Sequence, residues 1–179
     1  MEIIQRTDRT TSMSDWAKIQ SDYEEFHQQF ASIIIATVSD QGIPNASYAP
    51  FVMDELKNIY IYVSSLSTHT TNIESRPDVS VLFIEDEGKS PNIFARRRLN
   101  FDCRASLLER ESIKWQEVVD QFQARFGTII EVLKGLADFR VFQLTPTGGR
   151  FVIGFGAAYH IHGDNLHQLV PIGRDNISN

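Results

Sequence analysis

A single cysteine, Cys103, is all the thiol in 179 residues. An intramolecular disulfide and any cysteine-built zinc or iron–sulfur centre are therefore excluded, and the core must fold by burial alone, which suits a reducing cytoplasm. Positive charge is short as well: 17 Lys plus Arg stand against 23 Asp plus Glu, a net charge of −6. Such a chain has no general attraction for phosphate backbones or anionic lipid, so nucleic acid and membrane surfaces are poor partners and any basic site must be local. Long apolar runs are missing too. The stretch Ile33-Ile34-Ile35-Ala36 is far shorter than a signal core or a membrane span requires, and residues 1–13 are polar. No Walker loop, zincin His-Glu-x-x-His or nucleophile elbow occurs, and Gly154-Phe155-Gly156 lacks the third glycine of a dinucleotide fingerprint.

What is present is a composition of 42% hydrophobic and 11% aromatic residues, enough for one domain with a substantial core. The expected layout is a polar tail over 1–13, a folded domain over 14–168 and a C-terminal tail over 169–179. Trp16, Ile19, Tyr23, Phe26 and Phe30 recur at spacings of three and four after Ser14, which predicts an amphipathic packing helix. The period then falls to two. Strands are predicted over Ser32 to Val38 and Ile43 to Met53 around an Asp40-Gln41-Gly42 turn, with Pro44 and Pro50 marking edge or bulged backbone. Further strands are expected at 58–63, 79–84, 97–108, 139–144, 151–153 and 157–161, the three segments from 139 on being separated at Pro146-Thr147-Gly148-Gly149 by a turn. Helices are predicted over 68–75, 109–126 and 128–136. Strands joined by hairpins with few inserted helices point to an antiparallel barrel of the α+β class.

Four features stand out chemically. Arg96-Arg97-Arg98 opens a strand, with Arg96 and Arg98 on one face, where forked guanidiniums suit a carboxylate or phosphate; the alternative is a solvated strand end paired with Glu85, Asp86 and Glu87. Ser64 to Asn72, which includes Thr68 and His69, runs from a strand into a helix start rich in hydroxyls, the makings of an anion site or simply of a cap. His160 and His162 share a strand face near Asp164 and His167, which is a metal-ligand pattern or a pair of surface histidines. Asp138 sits between a helix end and a strand, where it can turn the chain or orient a ligand.

Several stretches, in order, resemble one family. They are residues 34–51; His69 with Asn72-Ile73-Glu74 and Pro77-Asp78-Val79-Ser80; Ile84-Glu85-Asp86; Phe94 to Leu99 with Phe101-Asp102; and Gly154 to Tyr159 with Gly163-Asp164. Together they are similar to the haem-utilisation (HutZ/HugZ-type) branch of the pyridoxamine 5'-phosphate oxidase-like FMN-binding split barrels. The resemblance implies a homodimeric split β-barrel with flanking helices and ligand pockets between the subunits. It implies haem as the ligand, with Arg96 and Arg98 on the propionates, and either oxidative ring opening by electrons from a separate reductase or simple carriage of haem. It also implies an iron-ligating histidine near the C-terminus, and Asp138 as the acid that hydrogen-bonds to that histidine across the dimer. Residues 170–179 contain no histidine, so His167 is the assigned iron ligand, with His160 and His162 as alternatives. FMN is the alternative cofactor, its phosphate at Ser64, Thr68, His69 and Asn72 and its ring beside Ser47 and Tyr48; here Thr68 and His69 replace the basic pair usual in the flavin relatives.

Overall fold

The computed structural model describes residues 13–173. Residues 1–12 and 174–179 of the expected tails lie outside the described residues. Helix α1 (Met13–Phe26) is followed by strands β1 (Ser32–Val38), β2 (Pro44–Met53) and β3 (Ile59–Ser64). Helix α2 (Thr68–Ser75), β4 (Asp78–Ile84) and β5 (Arg98–Leu107) come next, then α3 (Ile113–Phe126) and α4 (Ile129–Lys134). The chain ends with β6 (Phe139–Gly154), β7 (Ala157–His162) and β8 (Asn165–Pro171). All pairings are antiparallel in the order β3-β2-β1-β4-β5-β6-β7-β8, and β3 also pairs with β6. That last pairing closes six strands into a barrel, from which β7 and β8 extend along the far half of β6. The expected α+β antiparallel split barrel is the fold observed.

Period-two alternation decides which side of each strand is buried. Ile33 and Ile35 of β1, Val79, Val81 and Phe83 of β4, and Leu99, Phe101 and Cys103 of β5 point inward and fill the core. Burial pushes the Cys103 thiol up to about 12, so it remains protonated. Helix α1 lays its aromatic stripe on this core, with Tyr23 and Phe26 tilted against Phe151 at 5.6 and 5.4 Å and Trp16 edge-on to Tyr159 at 5.8 Å. Each such ring contributes about 1.5–3 kcal/mol by burial. A second cluster lies outside the barrel. There the alternate residues Tyr60 and Tyr62 of β3, with Val52 and Val141, pack under Trp115, Val118, Val119 and Phe122 of α3. Strand β3 is thus buried on both faces, which is why its sequence is apolar throughout.

Three differences from expectation have local causes. Helix α3 starts at Ile113 rather than Glu109, because Glu111 has φ 67° and the Ser112 side chain caps the helix by accepting from the Trp115 amide at 3.2 Å. Residues 146–149 are not a turn: β6 runs unbroken for 16 residues, and the irregularity is absorbed by a register shift beside Asp102 and Cys103 of β5. Gly149 makes this possible, since a Cβ there would lie 2.3 Å from the Asn100 carbonyl oxygen. Strand β8 was not anticipated, and it runs past residue 168 to Pro171. The prolines of β2 behave as expected, since Pro44 to Pro50 pair with β1 alone and Phe51 to Met53 pair with β3.

Candidate functional site

Outward-facing residues of six neighbouring strands form an open concave face. Cross-strand register puts Ile34, Leu82, Asn100, Arg150, His160 and Val170 in one row across β1, β4, β5, β6, β7 and β8. The row on one side contains Arg98 and Val152, and the row on the other Ser80, Asp102, Gly148 and His162. All of these residues except Val170 line a cavity of about 760 Å³, inside the range of roughly 300–1,000 Å³ typical of small-molecule sites. Its chemistry is mixed: two guanidiniums, two imidazoles and one carboxylate stand beside Ile34, Leu82 and Val152.

The polar groups here are unusually uncommitted. Arg98 donates only to the Arg96 carbonyl at 3.0 Å. Arg150, His160 and His162 make no hydrogen bond or ion pair among the described residues, and the two imidazoles lie 6.2 Å apart, ring centre to ring centre. Gly148, which has no side chain, lies in register between Asp102 on β5 and His162 on β7. Such a face can take a flat, partly apolar ligand carrying acidic groups, with fork-shaped donors for those groups and imidazole nitrogens for a metal.

The residues singled out from sequence fall in three places. Arg98 lines the cavity, and Tyr48 extends the same row from β2, opposite Ile34 and 69% exposed. Arg96 lies elsewhere. It precedes β5 and is held by the Glu85 carbonyl at 2.5 and 3.1 Å and by Glu87 at 2.9 Å, and Arg97 pairs with Asp22 at 3.6 Å.

A second group gathers at the start of α2. His69 is 8% exposed, its Nδ1 lies 2.9 Å from the Ser47 hydroxyl, and its buried Nε2 has no partner. Burial holds its pKa below the usual imidazole value. Asn72 donates to the Thr37 hydroxyl at 3.0 Å, Ser64 donates to the Asp138 carboxylate at 2.5 Å, and Thr68 is exposed at the first helical position. This helix start offers amides and hydroxyls but no cation.

His167 is in the third place, against α1. Its Nδ1 lies 3.2 Å from Glu24, which also takes a hydrogen bond from Lys57 at 2.6 Å; Gln20 donates to its carbonyl at 2.6 Å. Burial alone would raise the Glu24 pKa, but Lys57 and His167 outweigh it and hold the carboxyl below its usual value. These groups line a separate cavity of about 340 Å³. Among the described residues no group of three or more His, Cys, Asp or Glu is arranged to hold a metal ion, and no helix is long and apolar enough to cross a membrane.

Sequence reasoning missed Arg150, Asn100 and Asp102. The last two were visible in principle as the polar partners of Arg98 at intervals of two in β5. Arg150 was hidden by the turn assigned just before it.

A family model described as pyridoxamine 5'-phosphate oxidase matches residues 19–153. The chain is 43% identical over 164 residues to heme oxygenase HutZ of Vibrio cholerae serotype O1, covering 90% of this chain and 93% of that protein. A crystal structure of HutZ from Vibrio cholerae, described there as a heme storage protein, is similar at 41% identity with a TM-score of 0.71, covering 75% of this chain and 96% of that one. Campylobacter jejuni ChuZ is similar at 33% identity with a TM-score of 0.78, covering 91% of this chain and 66% of that one.

Proposed function

Since the chain belongs to the pyridoxamine 5'-phosphate oxidase family, we propose that it is a haem-binding protein of haem utilisation and that it opens the bound haem oxidatively. The observation that supports this reading is the cavity in which Arg98, bonded only to the Arg96 carbonyl, and Arg150 stand beside Ile34, Leu82, Val152 and two imidazoles with no hydrogen-bond partner among the described residues. Haem is a flat apolar ring with two carboxylates and an iron that takes imidazole, and this donor set fits each part. The guanidiniums bind and orient the propionates, and the apolar residues exclude water from the ring. Oxygenation needs electrons, so a separate reductase is the partner. A second copy of the chain covers the open face. In that homodimer Asp138, whose Oδ2 accepts from Ser64 and whose Oδ1 has no hydrogen bond among the described residues, acts from one protomer on the site of the other.

FMN is the less favoured ligand for a physical reason. Its phosphate carries close to two negative charges, and the α2 start meets it with Ser64, Thr68 and Asn72 but with a buried His69 whose pKa is lowered. A carrier role has one specific support: the similar Vibrio protein is described both as a heme oxygenase and as a heme storage protein.

The test is a pair of titrations on the full chain, ferric haem and FMN in parallel, followed by absorbance. A sharp Soret band at stoichiometric haem is expected, with no quenching of flavin fluorescence. Ascorbate added to the haem complex should bleach that band as a biliverdin-like product appears. A stable Soret band under ascorbate would favour the carrier, and flavin quenching with only a broad haem spectrum would overturn the haem reading.

A further inference from the structure

Resting on the haem reading, we propose that the iron is ligated from β7, by one imidazole of the His160–His162 pair, and not from β8 by His167. The chain has five histidines, and three lie outside the cavity of Arg98 and Arg150. His27 sits at the end of α1, half-buried, its pKa lowered by burial and then by Lys57 and Arg125. His69 is buried beside α2 with its Nδ1 on Ser47. His167 has its Nδ1 on Glu24, within the network that ties α1 to β8, and it lines a different cavity from the two guanidiniums.

His160 and His162 differ on every count. Two residues apart on one strand, they present both rings to the same face. Neither ring has a hydrogen-bond partner among the described residues, so no bond within them must be broken to release a nitrogen lone pair. Both line the cavity that holds Arg98 and Arg150, so one ligand can meet the iron donor and the propionate donors together.

The experiment compares ferric haem complexes of the full-length wild type, His160→Ala, His162→Ala, the double variant and His167→Ala, each confirmed as folded by circular dichroism. The readouts are the Soret position and, after reduction, the iron–histidine stretching band in resonance Raman spectra. The double variant should lose the iron–histidine band, and added imidazole should restore it by occupying the vacated space. His167→Ala should keep both the band and the wild-type Soret position. An iron–histidine band that persists in the folded double variant, or that disappears in His167→Ala, overturns the proposal while leaving haem binding intact. Failure of the wild type to bind haem would instead overturn the reading on which the proposal rests.

Discussion

Two regions of this barrel are rich in histidine and charge, and they differ in what their groups already hold. On the flank where α1 meets β8, nearly every polar atom is committed. Glu24 takes Lys57 and His167, Tyr23 donates to the Leu166 carbonyl at 2.5 Å, and Lys57 is 5% exposed with its ammonium over the Tyr23 ring. On the face built by β4 to β7, Arg98 holds only the Arg96 carbonyl, and the side chains of Arg150, His160 and His162 have no hydrogen-bond or ion-pair partner among the described residues. A committed charge is held by a partner whose removal would leave it buried and unpaired, so it is poorly placed to bind. An uncommitted one adds little to stability and keeps its hydrogen-bonding capacity for a ligand. Residue type alone therefore does not separate a structural histidine from a binding one; the partners do.

The widest separation between the regions should come from replacing both Arg98 and Arg150 with Ala. Haem affinity should fall by about 3–4 kcal/mol, taking roughly 1.5–2 for each charged hydrogen bond lost, while the thermal midpoint stays near wild type because these side chains carry little of the fold. Isothermal titration beside a thermal melt reads both. Unchanged affinity would return this face to an ordinary solvated surface. The converse experiment is Lys57→Met, which strands Glu24. It should cost about 3 kcal/mol of stability, the lower end for removing one partner of a buried pair because Glu24 is partly exposed, and it should leave haem binding as it was. A urea melt with a shifted midpoint and an unchanged Soret titration is the expected result.

Gly149→Ala should blur the comparison, because its Cβ would meet the backbone of Asn100 rather than a yielding side chain. We expect a loss of about 2 kcal/mol, typical of overpacking, together with weaker binding, since Asn100 and Arg150 move with it. Normal stability here would show that β5 and β6 tolerate a wider separation. The smallest effect is on pH dependence. His27 and His69 have lowered pKa values in the fold, so below about 6.5 the unfolded chain binds protons that the folded one refuses, and stability falls as pH drops through that range. Glu24, also lowered, adds a further loss as pH falls from its ordinary value of 4.5 through its folded one. A denaturation series from pH 8 to 4 should show decline in that order, and stability that rises on acidification to pH 5 would contradict it.

Much of the barrel was legible because its strands carry local signals. The alternation in β1, β4 and β5, the Asp40 to Gly42 turn, where Gly42 takes φ 81°, and the prolines of β2 each reflect physics confined to a few neighbouring residues. The continuity of β6 was not legible. Pro146, Gly148 and Gly149 are turn residues by local preference, and the reasons they lie in a strand are a register shift in β5 and a close approach to Asn100, both cross-strand facts. Arg150 went unnoticed for the same reason. The strand of Arg98 and the shared face of His160 and His162 were readable from spacing. That Arg96 would be taken up by Glu85 and Glu87, and His167 by Glu24, depended on how distant segments come together, and only the first had a sequence hint, in the acidic run from Glu85 to Glu87.

Strand β6 has a kinetic consequence. Its first half closes the barrel against β3, and its second half carries Arg150 and pairs with β7. The seam joins residues about 80 positions apart in the chain, a long loop to close and so a late event in folding. A ligand gripped by the second half binds only when the strand is in place. It therefore adds RT ln(1 + [L]/Kd) to the free energy of opening, and amides of β3 and the first half of β6, remote from the ligand, should exchange more slowly with solvent deuterium once the cavity is filled.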